Sequence, residues 1–173
     1  MIISGKEVAE AMIEGVVDND TQIQANGYDM TVKQVNAFVM DSRGCIDFDN
    51  SKREKPDVKI VPFNYREFVI LRRGCYLLDI NPKMKVPMDC IGRLRPRSSI
   101  IRMGCNIVSG VWDAGYVGTS QVLLVVHNFY GIKLYKNARI GQMVMEKMDE
   151  GCVEKGYDGV YNESEWIFRL KIL

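Results

Sequence analysis

Long apolar runs are missing from this chain of 173 residues. The longest strongly apolar stretch is Val122 to Val126, far short of the roughly 20 residues that a membrane-spanning helix needs. The opening Met1-Ile2-Ile3-Ser4-Gly5 has no basic region leading into an apolar run, so no signal peptide is expected. Histidine is almost absent, with His127 alone, and none of Cys45, Cys75, Cys90, Cys105 and Cys152 forms a Cys-x-x-Cys pair. A zinc site therefore has poor support. The odd number of cysteines points to reduced, mostly buried thiols in a cytoplasmic protein. An excess of charge is missing too: 23 basic residues face 22 acidic ones. That balance argues against a dedicated nucleic-acid binder, although four arginines fall between Arg93 and Arg102. Neither an internal repeat nor a low-complexity tract occurs.

The residues present fit one domain, 1–173, with enough chain to bury a core. Residues 4–17 read as one amphipathic helix filling the N-terminal segment 1–20. Ser4 and Glu7 have capping-box spacing, and Val8, Ala9, Met12, Ile13, Val16 and Val17 recur at helical period. Asp18-Asn19-Asp20 breaks it. The remainder reads as short strands and turns. Phe68–Leu71 and Tyr76–Ile80 flank a turn at Arg72-Arg73-Gly74, and Asn81-Pro82 and Val86-Pro87 punctuate the next stretch of chain. Val122–Val126 suggests a strand buried on both faces. Asn106 to Trp112, Ile132 to Tyr135 and Ile140 to Met145 add further strands, and Ser51 to Asp57 is a solvated loop. Regularly spaced short strands favour an all-β barrel or sandwich.

Several segments could carry chemistry. Arg95-Pro96-Arg97-Ser98-Ser99-Ile100-Ile101-Arg102 combines planar cations with hydroxyls, a donor set suited to phosphate oxygens. The same tripeptide Arg97-Ser98-Ser99 also suits an exposed turn or helix start. Gly110-Val111-Trp112-Asp113-Ala114-Gly115-Tyr116-Val117-Gly118 sets one carboxylate on a Gly-bounded turn before an aromatic ring. Asp113 could equally bond its own turn backbone, and Tyr116 could stack on a sugar or simply pack. Ala138-Arg139-Ile140-Gly141-Gln142-Met143 places an amide three residues after a cation. Strict alternation would send Arg139 and Gln142 to opposite faces. Asn26-Gly27-Tyr28-Asp29-Met30 supplies another turn carboxylate.

In this order and spacing the segments resemble the motifs of the trimeric dUTPase and dCTP deaminase superfamily. Asn26–Met30 matches the first motif, Arg95–Arg102 the second, Gly110–Gly118 the third and Arg139–Gln142 the fourth. The version here is most similar to archaeal-type dUTPases. The resemblance covers most of residues 21–162. It implies a mostly β, jelly-roll-like barrel with one N-terminal helix, a C-terminal tail at 156–173, and a homotrimer with sites shared between subunits. It also implies hydrolysis of dUTP to dUMP and pyrophosphate with Mg²⁺. Arg97, Ser98 and Gln142 would hold phosphates, with Ser99 beside them, and Arg102 matches an arginine of the deaminase-like branch. Asp113 would contact the 3′-hydroxyl and orient the attacking water. Tyr116 would pack on the sugar and exclude a 2′-hydroxyl. Backbone groups from Asn106 to Gly110 would read the pyrimidine. Tyr157 and Tyr161 would lie near the ligand, and Asp29 would reach the metal through water.

The chain departs from the family pattern in two places. Deaminases of the superfamily carry a proton-shuttling glutamate on the strand after the third motif. Here Leu123 or Val125 stands at that position, with His127 as a nearby substitute. A dCTP deaminase, or a bifunctional deaminase and dUTPase, is thereby disfavoured. A non-catalytic nucleotide-binding protein on the same scaffold is the other alternative. In the tail, Trp166, Phe168, Leu170 and Ile172 alternate with their neighbours like a docked strand, in place of a mobile Gly-rich arm.

Overall fold

The computed structural model describes residues 1–149 and 156–162, so the strand expected around Trp166 lies outside the described residues. Residues of β-branched and aromatic type build the strands. The main sheet contains β1 (Met12–Glu14), β2 (Ile23–Gln24), β3 (Gly27–Phe38), β4 (Val58–Ile60), β6 (Gly74–Lys85), β7 (Cys90–Pro96), β8 (Cys105–Val108), β9 (Val111–Trp112), β10 (Val117–Val126) and β12 (Arg139–Lys147). Its path runs β8-β10-β6-β3-β12-β7-β9, with β1 on β6 and both β2 and β4 on β3. A separate pair joins β5 (Phe68–Leu71) to β11 (Ile132–Tyr135). All pairings are antiparallel. The mostly β expectation holds. No helix among the described residues is long and apolar enough to cross a membrane.

The single helix expected over residues 4–17 is corrected. α1 spans Gly5–Glu10, with the Ser4–Glu7 capping box in place, and a second short helix, α2, spans Asn19–Gln22. Between them Met12–Glu14 pairs with β6. The Lys85 N–H donates to the Ala11 carbonyl at 2.7 Å. A neighbouring strand edge thus captures the backbone where β-branched Ile13, Val16 and Val17 weaken helix propensity. Those side chains remain exposed. α1 docks closely because Gly5 lacks a side chain: a Cβ there would sit 1.7 Å from the Gln24 carbonyl oxygen.

Two further strand expectations change. Val122, Leu124 and Val126 are buried, whereas Leu123 and Val125 are half-buried, so β10 turns only one face inward. Asn106 to Trp112 is divided: β8 pairs with β10 and β9 with β7, the break falling at Ser109-Gly110. Strand β6 runs through Asn81-Pro82, a cis bond, without ending. Tyr28, Met30, Leu78, Ile80, Leu124, Met143 and Met145 form the centre of the core.

Candidate functional site

The third motif is held by its own packing. Trp112 is buried, and its indole Nε1 donates to Ser120 Oγ at 2.7 Å. The chain then turns: the Tyr116 N–H donates to the Asp113 carbonyl at 3.1 Å, and Gly115 takes φ +76°, a conformation that suits glycine. Tyr116 is buried, and its hydroxyl donates to the Thr119 carbonyl at 2.9 Å. A Cβ at Gly118 would stand 2.7 Å from that hydroxyl oxygen. The ring lies against that of Tyr157 at 5.7 Å, edge to face. The tail is pinned here, since the Tyr157 N–H donates to the Ala114 carbonyl at 2.8 Å and the Val117 N–H to Asn162 Oδ1 at 3.3 Å.

Asp113 itself is exposed. Among the described residues no hydrogen bond or ion pair is found on its carboxylate. The turn is closed by backbone groups, so the carboxylate is left facing a cleft of about 820 Å³. Gly110, Asp113, Tyr116, Tyr157 and Tyr161 all line it. Several of its walls come from segments that carry no motif. The loop read as merely solvated contributes Lys55, whose Nζ lies 4.3 Å from the Tyr161 ring centroid, with Arg53 at 5.8 Å. Strand β6 contributes Asp79, which accepts from Gln121 Nε2 at 2.6 Å and Asn36 Nδ2 at 3.4 Å. The opposing register of Gln121 and Asp79 is a tertiary fact that no local motif announced.

The remaining expected residues do not line this cleft, and Arg97 and Gln142 gather instead around Asp29. Asp29 on β3 is 1% exposed. Its Oδ2 meets Arg97 Nε and Arg139 NH1, each at 3.2 Å, and Gln142 also hydrogen-bonds the carboxyl. The expected divergence of Arg139 and Gln142 is therefore corrected. A register shift against β3 between Arg139 and Gly141 brings both to one carboxylate, as a bulge does by inserting an extra residue. Burial raises the Asp29 carboxyl above its ordinary value, and the guanidiniums of Arg97 and Arg139 oppose that rise. Arg97 is fixed by its N–H donating to the Ile140 carbonyl at 3.0 Å. It precedes α3 (Ser98–Arg102), where Arg102 NH1 donates to Ser98 Oγ at 3.1 Å. Ser98 and Arg102 are exposed and Ser99 is half-buried. Asn106, on β8, is exposed and outside the cleft.

These surroundings do not fit a resident Mg²⁺ site. No group of three or more metal-ligating side chains occurs among the described residues. A cation beside Asp29 would face two guanidiniums, and like charges repel. Nor is a deaminase's carboxylate supplied by β10. Leu123 and Val125 do not line the cleft, and His127 is exposed beyond the strand end with its N–H on the Gly104 carbonyl.

Comparison with known proteins places the chain in a family. A protein of Archaeoglobus fulgidus named a probable deoxyuridine 5′-triphosphate nucleotidohydrolase is 44% identical over 167 residues, covering 92% of this chain and 95% of that one. The deoxyuridine 5′-triphosphate nucleotidohydrolase of Methanocaldococcus jannaschii is 36% identical over 143 residues, covering 82% and 88%. The crystal structure of 2′-deoxycytidine 5′-triphosphate deaminase from Agrobacterium tumefaciens superposes with a TM-score of 0.63 at 15% identity, over 85% of this chain and 48% of that one. It is a likeness of fold. Residues 2–148 match the sequence profile described as dCTP deaminase-like, and the chain belongs to that family.

Proposed function

We propose that the protein hydrolyses dUTP to dUMP and pyrophosphate. The exposed Asp113 carboxylate beside the buried Tyr116 ring, both in one cleft, carries this reading. The names of its archaeal relatives point the same way. Asp113 accepts a hydrogen bond from a water and aims it at the α-phosphorus. The new bond joins the water oxygen to that phosphorus, and the bond from the α-phosphorus to the bridging oxygen breaks. Pyrophosphate leaves with the bridging oxygen, and the proton passes through Asp113 to solvent. Tyr116, fixed by Thr119 and Tyr157, packs on the sugar where a 2′-hydroxyl would otherwise sit. Backbone groups near Gly110 read the pyrimidine.

The phosphate donors Arg97, Ser98 and Gln142 lie outside the cleft of their own chain. A homotrimer with shared sites accounts for this, one subunit offering Asp113 and a neighbour offering Arg97 and Gln142. Mg²⁺ belongs to the substrate in this scheme. It arrives on the triphosphate and keeps several waters, as that ion tends to do. The place of action is the cytoplasm.

The deciding experiment incubates the pure protein with each dNTP, and with UTP, in Mg²⁺ and separates the products. dUMP and pyrophosphate from dUTP, little turnover of UTP, and no uracil nucleotide from dCTP are expected. Binding of dUTP without turnover would favour the non-catalytic reading, and steady conversion of dCTP to a uracil nucleotide would favour the deaminase.

A further inference from the structure

The carboxylate of Asp29 is the most heavily engaged polar group near the proposed phosphate donors. Its backbone is held as firmly as its side chain: buried Gln22 donates from Nε2 to the Asp29 carbonyl at 2.8 Å. Gln22 Oε1 in turn accepts from the Val17 and Asp18 N–H groups at 3.0 and 2.9 Å. Arg139 NH1 bridges from Asp29 to the Thr21 carbonyl, 2.8 Å away. Arg139 is therefore committed to the protein. Arg97 is different. Its Nε meets Asp29, its side chain is 32% exposed, and its two terminal nitrogens carry no hydrogen bond among the described residues. A guanidinium held at one edge presents the opposite edge as a fork for an anion. Gln142 is likewise half-buried with its amide on Asp29.

We propose that Asp29 is a positioning residue that sets the Arg97 guanidinium and the Gln142 amide to receive the pyrophosphate end of the substrate, and that it takes no part in holding the divalent cation. This rests on the dUTP reading above and adds a role to it. Arg97 and Arg139 both meet the Oδ2 of this carboxylate, and Gln142 takes a further one of its roughly four lone-pair sites. With a side chain 2% exposed, little remains for a metal-bound water. A buried ion pair is in itself a poor source of stability. Its value here is orientation: without it a long, partly exposed arginine samples many rotamers and loses entropy on binding.

The test uses Asp29→Asn, which preserves size and removes charge. Calorimetry with inorganic pyrophosphate in Mg²⁺-free buffer should show affinity weakened roughly tenfold or more, the scale of hydrogen bonds to charged groups. Deoxyuridine affinity should stay at the wild-type value. The Mg²⁺ midpoint for dUTP hydrolysis should also stay put while KM rises. Unchanged pyrophosphate affinity with a several-fold shift of the Mg²⁺ midpoint would overturn the proposal. Arg97→Lys guards against a variant that fails to fold, because Arg139 still pairs with Asp29. It should lose pyrophosphate affinity to a similar degree, and wild-type affinity in it also overturns the proposal. Wild-type protein that binds pyrophosphate but leaves dUTP intact would sink the hydrolase reading alone. Wild-type protein that fails to bind pyrophosphate would sink the role of Asp29.

Discussion

Two aspartates show how far surroundings decide what a carboxylate does. Asp113 stands exposed on a turn closed by backbone hydrogen bonds. Asp29 is buried against two guanidiniums. The first is available to a water, and the second is spent on orienting other groups. Asp113→Asn should therefore lower kcat by about 10²-fold or more, since positioned general bases contribute about 10²–10⁴. Steady-state kinetics with dUTP checks this, and an unchanged kcat removes Asp113 from the chemistry. The role proposed for Tyr116 is one of shape. Tyr116→Ala should narrow the gap in kcat/KM between dUTP and UTP. Equal turnover of both by the wild type would refute the packing role.

At the scale of elements, the N-terminal segment is two short helices with a strand between them that ties it to the main sheet. Tyr28 on β3 donates its hydroxyl to Asn19 Oδ1 of α2 at 2.8 Å. Burial, with the Asp18 charge adding to it, pushes this phenol up to about 12. The unfolded phenol titrates near pH 10. A folded value above the unfolded one means that the stabilisation is complete below about pH 10 and is lost as pH rises through about 12. Tyr28→Phe should be less stable near neutrality by about 0.5–1.5 kcal/mol, the net worth of a hydrogen bond. Its melting temperature should then fall less steeply than the wild type's above pH 10. Parallel alkaline limbs in thermal scans of the two proteins would show that Tyr28 does not titrate as described. At β12 the same scale explains a different outcome, because one register shift brings Arg139 and Gln142 to a common carboxylate.

For the whole molecule, the separation of the Asp113 cleft from the Arg97 cluster predicts complementation. Asp113→Asn and Arg97→Lys proteins should each be impaired. Dissociated, mixed in equal amounts and reassembled, they should recover roughly a quarter of native activity, because a shared site in a random cyclic assembly draws each half independently. Activity no higher than the mean of the separate variants would place both groups from one chain in one site. Sedimentation equilibrium at micromolar concentration should show three copies, and a lone monomer would remove the shared-site scheme.

The sequence by itself determined the β class, the order of the motifs and the residue types able to meet a nucleotide. These are local properties, written in period-two alternation, turn residues and short spacings. The capping box at Ser4 and Glu7 was legible for the same reason. Tertiary structure decided the rest. Helical periodicity over residues 4–17 yielded to the free edge of β6, since a strand edge offers hydrogen bonds that local propensity cannot outweigh. The register shift of β12 overrode simple alternation. Lys55 and Asp79 entered the cleft from loops and strands distant in sequence. Whether a carboxylate is exposed or buried, alone or paired, depends on which chains fold over it, and that is set by long-range pairing no single segment contains.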